Sequence, residues 1–180
     1  MTDQRFAVLA VCTANICRSP IIEITLRAGL DPDRFEVASA GVNGFINEPM
    51  DAMSEMELLR LGLSAGDFRS HRINEYLISA ADLILTATVD HRHRTLEVEP
   101  RAMRSSFTLR EFAALCPLLD DDDLTLSQLV AAAASRRQEL KGSLDISDPY
   151  RRSPQVHRET ADQIAEATQT VAARLTRCPI

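Results

Sequence analysis

The sequence is poor in several features that define common protein classes. It contains no apolar run of about 18 residues that could cross a membrane, and Met1–Arg5 lacks the apolar core of a signal peptide. No stretch rich in glycine and serine divides the 180 residues, a length that one domain can fill. We therefore expect a single cytoplasmic domain over residues 1–180 that does not insert into a membrane.

Charge and cysteine content argue against further classes. The net charge is −6, whereas nucleic-acid-binding domains are usually basic, so we expect no nucleic-acid partner. The cysteines at positions 12, 17, 116 and 178 have no regular spacing, which argues against a disulfide framework and against a zinc site. Reduced thiols fit a reducing compartment, and we expect neither a metal nor a cofactor.

A distinctive segment, V-C-T-A-N-I-C-R-S-P, occupies residues 11–20. It follows the apolar run Phe6–Val11 and places Arg18 after Cys12 in the pattern C-x5-R. A strand that ends at Cys12 and a helix that opens near Ser19 would leave the N–H groups of the turn facing inward. Such a turn at a helix N-terminus binds oxyanions. The segment therefore predicts a phosphate-binding loop.

The side chains of this loop suit phosphate chemistry. The positive field of such a site favours the thiolate form of a cysteine, which makes Cys12 a candidate nucleophile. Arg18 offers a planar fork for two phosphoryl oxygens. Asn15 stands where a left-handed backbone would tighten the turn, and Ser19 can donate to the thiolate and is the expected N-cap of the helix. The predicted phosphate-binding residues are Thr13, Ala14, Asn15, Ile16, Cys17, Arg18 and Ser19.

Short β-branched runs alternate with helical patterns along the chain, which is typical of a parallel sheet covered by helices on both faces. We predict an α/β three-layer sandwich with a four-stranded parallel sheet. The predicted strands are Phe6–Val11, Phe35–Ala38, Asp82–Thr86 and Arg104–Phe107. The predicted helices are Pro20–Ala28, Asp51–Leu61, His91–Val98, Leu109–Leu115, Leu124–Leu140 and Gln155–Leu175. Residues 117–144 would be an added, largely helical segment whose role stays open.

A phosphate monoester also requires a proton donor for its leaving oxygen. Asp148-Pro149-Tyr150 meets this need, because Pro149 stiffens the chain beside the acid and Tyr150 supplies an apolar wall just before the last predicted helix. On its own the tripeptide could equally be a plain Asp-Pro turn. Together with Cys12 and Arg18 it predicts a general acid.

The pattern V-C-x-x-N-x-C-R-S-P, followed far downstream by D-P-Y, resembles the low-molecular-weight protein-tyrosine phosphatases. Ser39-Ala40-Gly41, Ser70-His71-Arg72 and Ala81–Leu85 resemble further segments of that family. The resemblance implies the family's fold and the hydrolysis of phosphotyrosine in proteins through a phosphocysteine intermediate. It implies that Cys12 is the nucleophile, that Arg18 binds phosphate and that Asp148 acts as general acid and then base.

The resemblance also bears on the substrate. It implies a phosphotyrosine-containing protein, with a bacterial tyrosine kinase as one candidate, and it leaves the oligomeric state open. The segment Val42–Met50, expected to form one wall of the cleft, contains Phe45 but no tryptophan. Arg151 stands where mammalian members carry a second tyrosine, so regulation through tandem phosphotyrosines is not supported. We expect Phe45 and Tyr150 to line the substrate cleft.

Two alternative functions and one additional chemistry stay open. An arsenate reductase on the same fold would need a downstream cysteine pair for its relay, but Cys116 stands alone and Cys178 lies near the C-terminus. A non-catalytic phosphoprotein-binding module would not need Asp148. Cys17 is either a buried packing residue or a redox partner that traps an oxidised Cys12 as a disulfide. The histidines are interpreted as surface or structural residues: His71, His91, His93 and His157.

Overall fold

The sheet confirms the predicted architecture. The computed structural model describes residues 5–119 and 123–179. Four parallel strands form one sheet in the order β2-β1-β3-β4. They are β1 (Phe6–Cys12), β2 (Phe35–Gly41), β3 (Leu83–Thr86) and β4 (Ser106–Thr108). The protein is thus an α/β three-layer sandwich, as the alternation of strand and helix patterns predicts.

Helices cover both faces of this sheet. The α-helices are α1 (Arg18–Gly29), α2 (Ala52–Arg60), α3 (Glu75–Ser79), α4 (Val89–Val98), α5 (Leu109–Leu115), α6 (Leu126–Arg136) and α7 (Pro154–Arg177). Short 3-10 turns occupy Pro100–Arg104, Cys116–Leu118 and Arg137–Glu139. Within the described residues, none of these helices combines the length and the apolar character that a membrane crossing requires.

Successive residues of β1 face two different cores. Val8 and Ala10 pack with residues of α1, α5, α6 and α7, whereas Leu9 and Val11 pack with residues of α3 and α4. Side chains alternate between the faces of a strand, so a strand covered on both faces is apolar along its whole length. This explains why Phe6–Val11 reads as an uninterrupted apolar run.

Two local predictions were wrong, and one helix was not predicted. Ser19 is not the N-cap of α1; the helix begins at Arg18 after Cys17 and has no side-chain cap. Arg104 belongs to a 3-10 turn, so β4 begins only at Ser106. Helix α3 was not predicted, because a helix of five residues shows too little periodicity.

The added segment before the acid loop is helical, as predicted. Helix α6 buries one apolar stripe against the same core as α5 and α7, consisting of Leu126, Leu129, Val130 and Ala133. A capping box at Thr125 starts the helix later than predicted, and the 3-10 turn that follows ends it earlier than Leu140. Residues 120–122 within this segment lie outside the described part of the chain.

The strand ends create the edge at which the site lies. Cys12 at the end of β1 pairs with Gly41 of β2, and Val11 pairs with Thr86 of β3. Ligands of open parallel sheets bind beyond the carboxyl ends of the strands. The residues that follow Cys12, Gly41 and Thr86 are therefore placed to form one site.

Candidate active site

Residues 12–18 form a tight loop between β1 and α1, held from inside by Asn15. Its φ of 59° is left-handed, as predicted, and its side chain is fully buried. Its amide nitrogen donates to Ser19 Oγ at 2.9 Å and to Ser39 Oγ at 2.8 Å, while its Oδ1 accepts from the His71 N–H at 2.7 Å. One side chain therefore fixes the loop to α1, to β2 and to the segment after Gly44.

These hydrogen bonds also set the direction of the Ser19 hydroxyl. Because Ser19 Oγ accepts from Asn15, its proton is available for Cys12 Sγ at 3.0 Å, with Ala40 O a longer alternative at 3.4 Å. A hydroxyl that donates to sulfur stabilises the thiolate over the thiol. Cys12 lies buried at the base of the loop, so a reacting group must enter the loop to reach it.

The network continues behind the loop to a buried carboxyl group. Ser39 Oγ donates to Glu23 Oε2, which explains why Ser39 accepts rather than donates toward Asn15. Burial raises the pKa of Glu23, although the Ser39 hydrogen bond and the charge of Arg27 oppose this shift. Neither Ser39 nor Glu23 was predicted as a site residue, because their link to Cys12 runs through Asn15.

Arg18 is buried and leaves one donor without a partner. Its Nη1 donates to Ile146 O at 3.0 Å, and its Nη2 lies 3.3 Å from Thr13 Oγ1 and 3.3 Å from Asp148 Oδ2. Among the described residues, the buried Nε has no hydrogen-bond partner. An unsatisfied buried donor costs about 1–3 kcal/mol, more when charged. Nε and Nη2 share one edge of the guanidinium, the edge that grips two oxygens of one anion.

Asp148 lies on a loop that is attached to the carboxyl end of β3. Within this acid loop (residues 145–150), the Ile146 N–H donates to Ala87 O at 2.9 Å, and Asp145 Oδ1 accepts from the Val89 N–H at 2.8 Å. Asp148 Oδ1 accepts from the Tyr150 N–H at 3.3 Å, and the side chain is 53% exposed. The Asp148 carboxylate is thus open to solvent, and its Oδ2 approaches Arg18.

Two aromatic residues, Phe45 and Tyr150, lie in the segments that follow β2 and precede α7. The Phe45 N–H donates to Ala14 O at 3.3 Å, and the Phe45 side chain is half exposed. Tyr150, also partly exposed, follows the acid. The segment that begins at Gly41 lies close to the loop, because a Cβ added at Gly41 would lie 2.6 Å from Thr13 O. Phe45 therefore borders the loop, and Tyr150 lies two residues after Asp148, whose Oδ2 approaches Arg18.

Cys17 and Ile16 form the buried back of the loop. The Asp51 N–H donates to Ile16 O at 2.9 Å, so the start of α2 packs behind it. Burial raises the pKa of Cys17 to about 12, against the opposing effect of a hydrogen bond with Ser54. Cys17 is therefore a neutral thiol at physiological pH. Both it and Cys12 are free cysteines.

Sequence reasoning missed the role of His91. Its interpretation as a structural residue holds, since it is buried, but its Nε2 lies 2.8 Å from Thr13 Oγ1 in the phosphate loop. Its position in the first turn after β3, at the carboxyl edge of the sheet, was the available signal. His157 is also buried, against Ser54 behind the loop.

Comparison with known proteins agrees with this geometry. The sequence model of the family described as "Low molecular weight phosphotyrosine protein phosphatase" matches residues 7–120. The chain is 28% identical over 178 residues to the low molecular weight protein-tyrosine-phosphatase Etp of Escherichia coli strain K12, covering 98% of this chain and 100% of Etp.

Solved structures show the same fold. The YwlE arginine phosphatase from Geobacillus stearothermophilus superimposes with a TM-score of 0.76 at 26% identity, covering 95% of this chain and 93% of YwlE. Wzb of Vibrio vulnificus, solved in complex with benzylphosphonate, gives a TM-score of 0.74 at 26% identity, covering 95% of this chain and 99% of Wzb. The chain, whose C-x5-R loop places Arg18 beside Asp148, belongs to the low molecular weight phosphotyrosine protein phosphatase family and is a phosphatase.

Proposed function

We propose that this phosphatase hydrolyses phosphotyrosine in proteins through a phosphocysteine intermediate on Cys12. The proposal is carried by the guanidinium of Arg18. Its Nε is buried and has no hydrogen-bond partner among the described residues, and its Nη2 lies 3.3 Å from Thr13 in the loop that contains Cys12. A phosphoryl group bound by the loop N–H groups would supply the missing acceptor. It would also bring its phosphorus to the sulfur.

In the first step, the Cys12 thiolate attacks phosphorus, so that an S–P bond forms and the P–O bond to the aryl group breaks. Asp148, protonated, gives its proton to the departing oxygen. In the second step, a water molecule transfers its proton to Asp148 and attacks phosphorus, which breaks the S–P bond and releases phosphate. Ser19 donates to the sulfur as the thiolate reforms. Arg18 holds the equatorial oxygens through both steps.

Burial and the aromatic walls favour phosphotyrosine as the substrate. Cys12 and Arg18 are 2% and 4% exposed, so the phosphoryl group must be carried into the loop on a long side chain. Phe45 and Tyr150 can pack against an aromatic ring at the mouth. The likeness to Wzb in complex with benzylphosphonate, an aromatic phosphonate, supports the same substrate class.

Phosphoarginine is the second candidate substrate, because the structure is similar to one described as an arginine phosphatase. Asp148 could protonate a leaving guanidine nitrogen as well as a phenol oxygen. The discriminating experiment measures kcat/KM on matched peptides that carry phosphotyrosine or phosphoarginine at one position. We expect the phosphotyrosine peptide to be preferred. A clear preference for phosphoarginine would overturn this choice of substrate and leave the phosphatase reaction itself intact.

The arrangement of the remaining cysteines favours a phosphatase over an arsenate reductase. Helix α7 lies against the acid loop at Thr160, whose hydroxyl donates to Ser147 O, and ends 17 residues later at Arg177, so at about 1.5 Å per residue its far end lies about 25 Å from that loop. Cys178 follows that end, and the segment after Cys116 lies near it, since Arg174 donates both to Cys178 Sγ and to Leu119 O. These thiols lie too far from Cys12 to relay a disulfide.

The position of Asp148 near Arg18 favours a catalytic protein over a module that only binds phosphoproteins, because binding alone needs no proton donor.

We further propose that the protein acts in the cytoplasm of a bacterium, on a phosphotyrosine-containing protein such as a bacterial tyrosine kinase. All four cysteines are free, which fits a reducing compartment.

We also propose Cys17 as the redox partner of Cys12. After peroxide converts the Cys12 thiolate to a sulfenic acid, Cys17 would displace water to form a disulfide. Because the pKa of Cys17 is about 12, we expect slow closure of this disulfide.

A further inference from the structure

The side chain of His91 bridges the start of α4 and the phosphate loop, and the mechanism above does not use it. His91 is 4% exposed. Its Nε2 lies 2.8 Å from Thr13 Oγ1, and its Nδ1 lies 2.9 Å from Thr88 Oγ1. Both ring nitrogens of a buried histidine are thus engaged by hydroxyl groups, one of which belongs to the residue after the nucleophile.

One tautomer of the neutral His91 ring fits both contacts together with the N-cap of α4. Thr88 Oγ1 accepts from the His91 backbone N–H at 3.2 Å, as the N-cap of α4. Across the described residues, the acceptor within reach of the Thr88 hydroxyl proton is His91 Nδ1. A neutral imidazole that accepts at Nδ1 carries its proton on Nε2. In this tautomer His91 donates to Thr13 Oγ1.

The charges around His91 keep the ring neutral. Burial, together with the charge of the nearby Arg18 guanidinium, lowers the pKa of His91 to about 4. Asp90 and Asp148 act in the opposite direction, and Arg94 acts with Arg18. Above that pH, the imidazole places a hydrogen-bond donor beside Arg18 without adding a second positive charge to the loop.

The Thr13 hydroxyl connects His91 to Arg18. Its Oγ1 accepts from Arg18 Nη2 at 3.3 Å as well as from His91. Since Ile146 O holds Nη1, the Thr13 hydroxyl fixes the opposite side of the guanidinium. We infer that His91 is a positioning residue, which holds the Thr13 hydroxyl where it orients Arg18 toward the phosphoryl group. The inference rests on the proposed function, in which Arg18 grips that group.

The test begins with two substitutions of His91. His91→Leu removes both ring nitrogens, whereas His91→Gln keeps an amide N–H that can reach the position of Nε2. We expect His91→Leu to lower the single-turnover rate of phosphoryl transfer about 10-fold or more, and His91→Gln to stay within about 3-fold of the unaltered protein. His93→Leu, on the exposed side of the same helix, is the matched control and should leave the rate unchanged. Thermal unfolding of each variant verifies that it is folded.

A double-mutant cycle separates positioning from general packing. Thr13→Val removes the hydroxyl at nearly constant volume and should itself slow phosphoryl transfer. If His91 acts through that hydroxyl, adding His91→Leu to Thr13→Val should cost less than about 2-fold more. The inference is overturned if His91→Leu alone costs less than about 3-fold, or if its full cost persists beside Thr13→Val.

Two further measurements keep the inference separable from the proposed function. The affinity of the same variants for inorganic phosphate should follow the same non-additive pattern, even if the protein proves inactive on phosphotyrosine. An active phosphatase with an additive cycle would instead contradict the inference alone. In ¹⁵N NMR of the unaltered protein, His91 should show the Nε2–H tautomer without titrating between about pH 5 and 8. A titration in that range would overturn the assignment of a neutral donor.

Discussion

The phosphate loop and the acid loop meet at Arg18, but the structure holds them in different ways. The phosphate loop is buried and fixed from inside by Asn15, whose side chain makes hydrogen bonds to three neighbouring segments. The acid loop lies at the surface. It is attached to the end of β3 by the Ile146 N–H and by the Asp145 carboxylate, while Asp148 itself is half exposed.

This difference matches the separate tasks that the proposed mechanism assigns to the two loops. The group that binds the phosphoryl oxygens must be in place before substrate arrives, because preorganised donors need not reorient during the reaction. In that mechanism the proposed acid, Asp148, exchanges protons with water between the two steps, which requires access to solvent. We therefore expect substitutions in the phosphate loop to affect every substrate. Substitutions in the acid loop should act according to the leaving group.

The largest of the following effects is expected for Arg18→Lys. An ammonium group cannot hold two equatorial oxygens side by side, so this variant should lose about 100-fold or more in kcat/KM and approach the loss of Arg18→Ala. Steady-state kinetics on an aryl phosphate measures the loss, with the exposed Arg101→Lys as control. A lysine variant within about 3-fold, which is under 1 kcal/mol, would contradict the bidentate role.

Asp148→Asn sharpens the comparison, because its effect should depend on the substrate. A phenol with a pKa near 10 leaves poorly as an anion, whereas an activated nitrophenol leaves readily. The variant should therefore lose far more rate on phosphotyrosine than on an activated aryl phosphate. Single-turnover measurements of the phosphorylation step are needed, since a slow second step would mask the difference. Equal losses on both substrates would mean that Asp148 only positions its loop.

Asp145→Asn should have the smallest effect. Its carboxylate accepts from the Val89 N–H and is one of the contacts that attach the acid loop to the segment after β3. The amide oxygen of asparagine can still accept, so we expect a loss of only about 2- to 5-fold, confined to substrates that need the acid. Asp145→Ala removes the acceptor and should lose more on those same substrates. An equal loss on activated substrates would place the role of Asp145 in the phosphate loop instead.

Local patterns predicted the parts of the site that lie close together in sequence. The C-x5-R spacing placed Cys12, Asn15 and Arg18 in one turn, and D-P-Y placed the acid before α7. The N-cap assigned to Ser19 was wrong, because its hydroxyl is held between Asn15 and Cys12 inside the loop. A local rule for helix starts does not include this competing tertiary contact.

The contacts that sequence reasoning missed depend on packing. His91 and Thr13 are separated by 78 positions and meet because β1 and β3 are neighbours whose following segments share one edge of the sheet. Glu23 reaches the loop through Ser39 and Asn15. Neither link leaves a periodic signal in the sequence, although strand order and register account for the first once they are known.

The central claim, that Cys12 carries the phosphoryl group, is tested most directly by trapping the intermediate. The protein is mixed with an activated aryl phosphate, quenched in acid within one turnover, and digested for mass spectrometry. We expect one phosphoryl group on the peptide that contains Cys12, and none with Cys12→Ala. Cys12→Ser should be folded but inactive in turnover. Rapid turnover without phosphate on Cys12, or a Cys12→Ser variant that keeps most of the rate, would contradict the account.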